Sequence, residues 1–184
     1  NLAMIAESVA FLVAQGKRVI YDAEHFFDGW RDDPDYALRC VRAAADGGAG
    51  WVTLCDTNGA SLPHEVEAAT AAVAAQLGVP VGIHCHNDAE CGVANSLAAV
   101  AEGAVLVQGT LNGYGERCGN ANLTSIVPNL QLKQGRRCLP ALEGLTEASH
   151  LLAELLNLTP DPNAPYVGKN AFAHKGGMHI AGVA

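Results

Sequence analysis

Val79-Pro80-Val81-Gly82-Ile83-His84-Cys85-His86-Asn87-Asp88 decides how this chain is read. The stretch from Val79 to Cys85 is a short, mostly apolar run, the pattern of a strand buried on both faces. Its far end carries two imidazoles, an amide and a carboxylate in quick succession. Residues two apart on a strand project from the same face, so His84 and His86 are presented together. Polar chemistry crowded at the C-terminal end of an apolar strand is the habit of parallel α/β proteins.

Working outward, the same unit recurs. Downstream, a helix from Cys91 to Glu102 is closed by Gly103, and Val105 to Gly109 reads as another strand. A Gly-rich loop from Leu111 to Asn120 and a helix from Leu123 to Gln134 follow. Upstream, Leu62-Pro63 opens a helix ending at Gly78, preceded by a strand from Trp51 to Asp56. Asp33-Pro34, an N-cap with Pro at the first helical position, starts a helix that runs to Asp46. Before it come a strand from Val19 to Asp22 and a helix from Leu2 to Gln15, stopped by Gly16.

Successive βα units joined by short loops imply a parallel sheet, either open and doubly wound or part of a closed barrel. Either way the functional residues belong at the C-terminal strand ends, and the polar clusters lie there: Asp22 to His25, Asp56 to Gly59, His84 to Asp88, and Asn112 to Asn120. Beyond Gly135 the pattern changes to a short helix, Thr146 to Leu156, and a Pro- and Asn-rich stretch.

Composition narrows the function. The 184 residues are 49% hydrophobic, enough for a real core, and carry 11 basic against 19 acidic groups for a net charge of -8. With no Lys/Arg run, nucleic acid and anionic membranes are excluded as partners, and no stretch is apolar enough to span a bilayer. The six cysteines form no C-x-x-C pair and several lie in apolar segments, which reads as reduced thiols in a cytoplasmic protein. The chain opens at Asn1 in a helical pattern and stops at Ala184 without a closing element, so both ends read as cut.

Each candidate residue has two readings. His84 and His86 either coordinate one divalent metal or pack as a hydrogen-bonded pair; the strand-end position and the adjoining Asn87-Asp88 favour metal. Asn120 offers an amide oxygen to a hard cation. The loop Asn112-Gly113-Tyr114-Gly115-Glu116-Arg117-Cys118-Gly119-Asn120 lacks the Gly-Lys-Ser/Thr ending of a P-loop, and Glu116 with Arg117 reads as an ion pair bracing it. Phe26, Phe27 and Trp30 flank Glu24, as desolvation of a general acid or base would require. Thr57 either holds a carboxylate or caps the turn at Asn58-Gly59.

Three stretches in fixed order carry a resemblance: His84 to Asp88, Asn112 to Asn120, and Asn170-Ala171-Phe172-Ala173-His174-Lys175-Gly176-Gly177-Met178-His179. They resemble the 2-isopropylmalate, homocitrate and citramalate synthases, metal-dependent enzymes that condense acetyl-CoA with a 2-oxo acid. Tyr21 to Trp30 and Leu158 to Val167 are most similar to the citramalate branch.

The resemblance implies half of a TIM (β/α)8 barrel, strands five to eight, over residues 1–140, with the start of a C-terminal linker subdomain over 141–184. It implies His84, His86 and Asn120 at a divalent metal (manganese, magnesium or zinc), Glu24 as an active-site acid, Thr57 at the 2-oxo acid carboxylate, and His179 as a catalytic histidine. It further implies acetyl-CoA as co-substrate, pyruvate as the 2-oxo acid, and a homodimer for the full-length protein. The family's first-strand Arg and metal-binding Asp have no match here, so this chain alone is expected to be inactive. Ala181 stands where isopropylmalate synthases usually carry an acid. The rival expectations are a homocitrate or 2-isopropylmalate synthase, a lyase or aldolase of the same superfamily, and a non-catalytic metal-binding half-barrel.

Overall fold

Helices and strands alternate from the first residue. The computed structural model describes residues 1–174 and 182. Helix α1 (Leu2–Ala14) leads into strand β1 (Ile20–Ala23), then the short helix α2 (Phe26–Asp32) and α3 (Pro34–Asp46). There follow β2 (Trp51–Asp56), α4 (Pro63–Ala74), β3 (Val81–Cys85), α5 (Gly92–Ala101) and β4 (Leu106–Gln108). The chain continues through α6 (Leu123–Pro128) and a π-helical turn, Asn129–Lys133, to α7 (Leu145–Leu155).

The four strands form one parallel sheet in the order β1-β2-β3-β4. Every crossover steps to the next strand in the same direction. A doubly wound sheet would reverse its strand order at a switch point, so this is the barrel topology.

Register sorts the side chains. Asp22 pairs with Thr53, Thr53 with Gly82, and His84 with both Cys55 and Gln108, which puts these residues on one face. Val52, Leu54 and Ile83 take the other face and are fully buried under the helices. Gly82 makes room on the first face, since a Cβ there would sit 3.0 Å from Thr53 Oγ1 and 3.2 Å from Leu106 Cβ.

That first face is concave. Three strand spacings of about 4.8 Å would hold β1 and β4 roughly 14 Å apart in a flat sheet. Yet the Gln108 amide of β4 donates to Asp22 Oδ1 of β1 at 2.8 Å. Only a sheet curled like a barrel wall lets its outermost strands join by side chains. Four strands of (β/α) construction, curled in this way, are half of a TIM barrel.

Two elements depart from the sequence reading. Helix α2 is new: the sequence reading places no element between β1 and Asp33, but His25 turns through the left-handed region (φ 57°) and starts a seven-residue helix. Phe26 and Phe27 bury themselves in an edge-to-face pair, ring centroids 5.4 Å apart. The helix expected from Leu123 to Gln134 is broken in style at Pro128, which has no N–H to donate, and continues as the π-helical turn.

Contacts divide the chain into two compact units, Asn1–Asn122 and Leu123–Ala184. The first holds the whole sheet. Within the second, Tyr166 Oη donates to Asn129 Oδ1 at 2.9 Å. No helix among the described residues is long and apolar enough to cross a membrane.

Candidate active site

The C-terminal strand ends gather the chemistry of the first unit. At the end of β3, the rings of His84 and His86 lie with centroids 5.3 Å apart, as strand periodicity requires. His84 Nδ1 is 2.9 Å from Gln108 Oε1. Gln108 in turn donates from Nε2 to Asp22 Oδ1 at 2.8 Å and to Thr53 Oγ1 at 3.3 Å. Sequence reasoning passed over Gln108, although a polar residue ending the apolar run Val105-Leu106-Val107 is a visible signal.

His86 stands in a different setting. Burial pushes its imidazole below the ordinary value, helped by Arg117 and His84 and opposed by Asp88 and Glu116. A neutral ring keeps a lone pair for a metal. Its Nδ1 is buried and has no hydrogen-bond partner among the described residues. An unsatisfied buried nitrogen costs stability unless something else occupies it.

Asn120 is brought to His86 by the main chain. The loop after β4 folds back so that Ala121 N–H donates to Cys85 O at 2.8 Å and Asn87 N–H to Gly119 O at 2.9 Å, with Asn120 bridged to His86. Asn120 is 9% exposed, and its amide lies so close over Gly115 that a Cβ at 115 would overlap it. A side chain at 115 would therefore push the Asn120 amide out of its present place.

Two imidazoles and an amide make a mixed nitrogen–oxygen donor set, which suits a borderline divalent cation. The buried, unpartnered Nδ1 of His86 fits such an ion. Among the described residues no cluster of three His, Cys, Asp or Glu side chains could hold one.

Glu24 and Thr57 meet across the ends of β1 and β2. Thr57 Oγ1 donates to Glu24 Oε2 at 2.7 Å and accepts from His25 N–H at 2.7 Å. The aromatic neighbours expected to enclose Glu24 do not: Phe26 and Phe27 are buried while the carboxylate is exposed. A hydroxyl, rather than an apolar wall, sets its environment.

Arg117 spans the loops. Its Nε and Nη2 donate to the two Asp88 oxygens at 2.8 and 2.9 Å, and Nη2 also reaches Thr57 O at 2.7 Å. Glu116, the partner expected from sequence, is 3.9 Å away and largely exposed. The expected Glu116–Arg117 ion pair is thus present, but Asp88 makes the closer contact because its carboxylate accepts the guanidinium fork at two points.

The buried thiols are disfavoured as thiolates. Burial pushes Cys55 up, with Glu24 and Asp22 adding to the effect, and burial beside Asp56 does the same to Cys85. His179 lies outside the described residues.

The family model described as HMGL-like matches residues 2–152. The chain belongs to the HMGL-like family. An (R)-citramalate synthase of Synechocystis sp. is 53% identical over 193 residues, covering 100% of this chain and 35% of that protein. A probable 2-isopropylmalate synthase of Methanopyrus kandleri is 42% identical, covering 96% of this chain and 35% of that protein. Among solved structures, an HMG-CoA lyase from Acenitobacter baumannii in complex with coenzyme A and 3-methylmalate aligns with a TM-score of 0.68 at 27% identity, covering 94% of this chain and 59% of that one. This HMGL-like chain thus spans about a third of the length of the curated relatives it matches, 35% in each of the first four.

Proposed function

We propose that the protein carrying this chain condenses acetyl-CoA with pyruvate and water, releasing citramalate and CoA. What carries the reading is the 53% identity to an (R)-citramalate synthase across the entire chain. The A. baumannii lyase, whose structure holds coenzyme A and a methylated hydroxydiacid, lends the barrel wall a precedent for related ligands. On this reading residues 1–140 belong to the catalytic barrel and 141–184 begin a linker subdomain. The enzyme is a cytoplasmic homodimer; its six free cysteines accord with a reducing compartment.

The residue roles follow. His84, His86 and Asn120 hold a divalent metal, which when bound polarises the 2-oxo carbonyl as a Lewis acid. Thr57 binds the substrate carboxylate. Its single O–H now donates to Glu24, so engaging the substrate turns that donor away and leaves Glu24 uncompensated. A carboxylate freed in this way is a better base. Glu24, together with His179, manages the proton taken from the acetyl methyl group and the water that later cleaves the thioester.

The test is CoA release by the full-length protein with manganese or magnesium, offering pyruvate, 2-oxoisovalerate and 2-oxoglutarate separately, with and without chelator. Pyruvate-dependent release abolished by chelator is the expected result. The 42% identity to a probable 2-isopropylmalate synthase favours 2-oxoisovalerate as the second reading. Silence with all three acids would overturn both and leave cleavage of a hydroxyacyl-CoA as the reaction to assay, although the stretch Asn170 to His179 speaks for condensation.

A further inference from the structure

The bond between Gln108 and His84 has a direction, and Asp22 sets it. An ionised carboxylate only accepts hydrogen bonds, so the Gln108 group 2.8 Å from Asp22 Oδ1 is its NH2. Thr53 Oγ1, 3.3 Å from the same nitrogen, accepts as well. The Gln108 amide therefore cannot turn over without setting oxygen against oxygen. Its carbonyl is left facing His84, and a carbonyl also only accepts. Hence Nδ1 of His84, 2.9 Å away, bears the proton, and the lone pair of the neutral ring sits on Nε2. Asp22 of β1, Thr53 of β2 and Gln108 of β4 thus select one of the two tautomers of His84.

We propose that Gln108 and Asp22 are positioning residues for the divalent cation. They would lock His84 in the Nε2-ligating tautomer and orient its ring, acting through His84 rather than as ligands themselves. The inference rests on the metal role given to His84 above. It extends that role to two residues that the sequence does not mark as metal-related. Imidazole ligands generally donate their second N–H to a carboxylate or carbonyl, and loss of that partner typically weakens metal binding about 10- to 100-fold. Here the carboxylate acts one residue removed, through an amide, from across the concave face.

The polarity of the relay can be rebuilt, which separates positioning from packing. In Gln108→Leu the acceptor is gone. In Gln108→Glu the carboxylate still accepts from His84 but faces Asp22 as a like charge. Combining Gln108→Glu with Asp22→Asn restores the pairs along the relay: the carboxylate introduced at position 108 accepts both from the amide introduced at position 22 and from His84 Nδ1–H, while the Thr53 hydroxyl, which accepts from Gln108, can donate to it instead. All these replacements but Leu are isosteric. The measurement is the manganese dissociation constant of the full-length protein, by EPR of free ion and chelator competition, with the visible spectrum of the cobalt form beside it. We expect affinity to fall about 10- to 100-fold in Gln108→Leu, to fall in Gln108→Glu, and to return to within roughly threefold of the parent in the double variant. A Gln108→Leu protein with unchanged affinity and cobalt spectrum overturns the proposal, as does a double variant no better than Gln108→Glu. His84→Ala is the control. If it leaves manganese affinity intact, the metal role and this inference fall together. If it abolishes binding while pyruvate is not a substrate, the choice of substrate fails and the inference stands.

Discussion

Arg117 and Asp88 are joined in a two-point grip, Nε to Oδ1 at 2.8 Å and Nη2 to Oδ2 at 2.9 Å, and the same Nη2 holds the Thr57 carbonyl at 2.7 Å. One side chain from the loop after β4 thereby ties down the ends of β2 and β3. Both groups are near solvent, so the grip adds little to global stability. Its effect is local. In Arg117→Ala, amide exchange across residues 112–120 should quicken, while the urea midpoint moves only slightly. A large midpoint shift with unchanged loop protection would show the arginine to be a general brace instead.

The same pair sets a pH dependence. The hydrogen bond from Arg117, reinforced by its charge, holds the Asp88 carboxyl below its ordinary 3.8. A carboxylate with a lowered folded value contributes stability that is fully present above the unfolded value and lost as pH falls through the folded one. Wild-type protein should therefore exceed Asp88→Asn in urea resistance by a small margin at pH about 6, with the gap closing from roughly pH 4 downward. A gap that persists undiminished at low pH would show that the asparagine acts through packing and not through charge.

Much of this was legible beforehand because strand periodicity and helix punctuation are local. The runs ending in Asp56 and Cys85, and Pro34 behind its Asp33 cap, announce their elements without tertiary help. The His84–His86 pair follows from a period of two. What could not be read depends on curvature. Asp22 and Gln108 are 86 positions apart and meet only because the sheet curls. The closer grip of Arg117 on Asp88, beside its pairing with the neighbouring Glu116, was hidden for the same kind of reason, since sequence adjacency says nothing about where a loop returns. Helix α2 escaped because its start is a left-handed His25, which carries no compositional mark.

Gly59 should be intolerant of a side chain. It adopts φ +61°, and a Cβ would lie 2.7 Å from Asp88 Oδ2 and 2.8 Å from Asp88 N. Strain and collision act together, so Gly59→Ala should cost about 1–3 kcal/mol in chemical denaturation. Gly16 also has positive φ but meets nothing within 4 Å, and Gly16→Ala should cost less. Equal costs would mean that the clash with Asp88 relaxes away.

Ile83 is fully buried on the helix-facing side of β3, one residue before His84. Ile83→Ala should destabilise by about 2–5 kcal/mol, the range for deleting a core aliphatic side chain. A thermal or urea titration reads it directly. Retention of full stability would mean that the helices collapse onto the space left.

Thr57 offers the sharpest test of the substrate assignment. Its hydroxyl has one proton, now given to Glu24, and its oxygen accepts from His25 N–H. Thr57→Val keeps the shape and removes both functions; Thr57→Ser keeps the hydroxyl. A hydrogen bond to a charged group is worth about 1.5–3 kcal/mol, or roughly 10- to 100-fold. If the hydroxyl binds the substrate carboxylate, Thr57→Val should raise KM for the 2-oxo acid by about that factor, leave KM for acetyl-CoA near its original value, and be rescued by Ser. If the hydroxyl serves only to hold Glu24, kcat should fall instead while both KM values stay in place. In that case Glu24 is tuned by Thr57 throughout the cycle, and the carboxylate must be held by another residue.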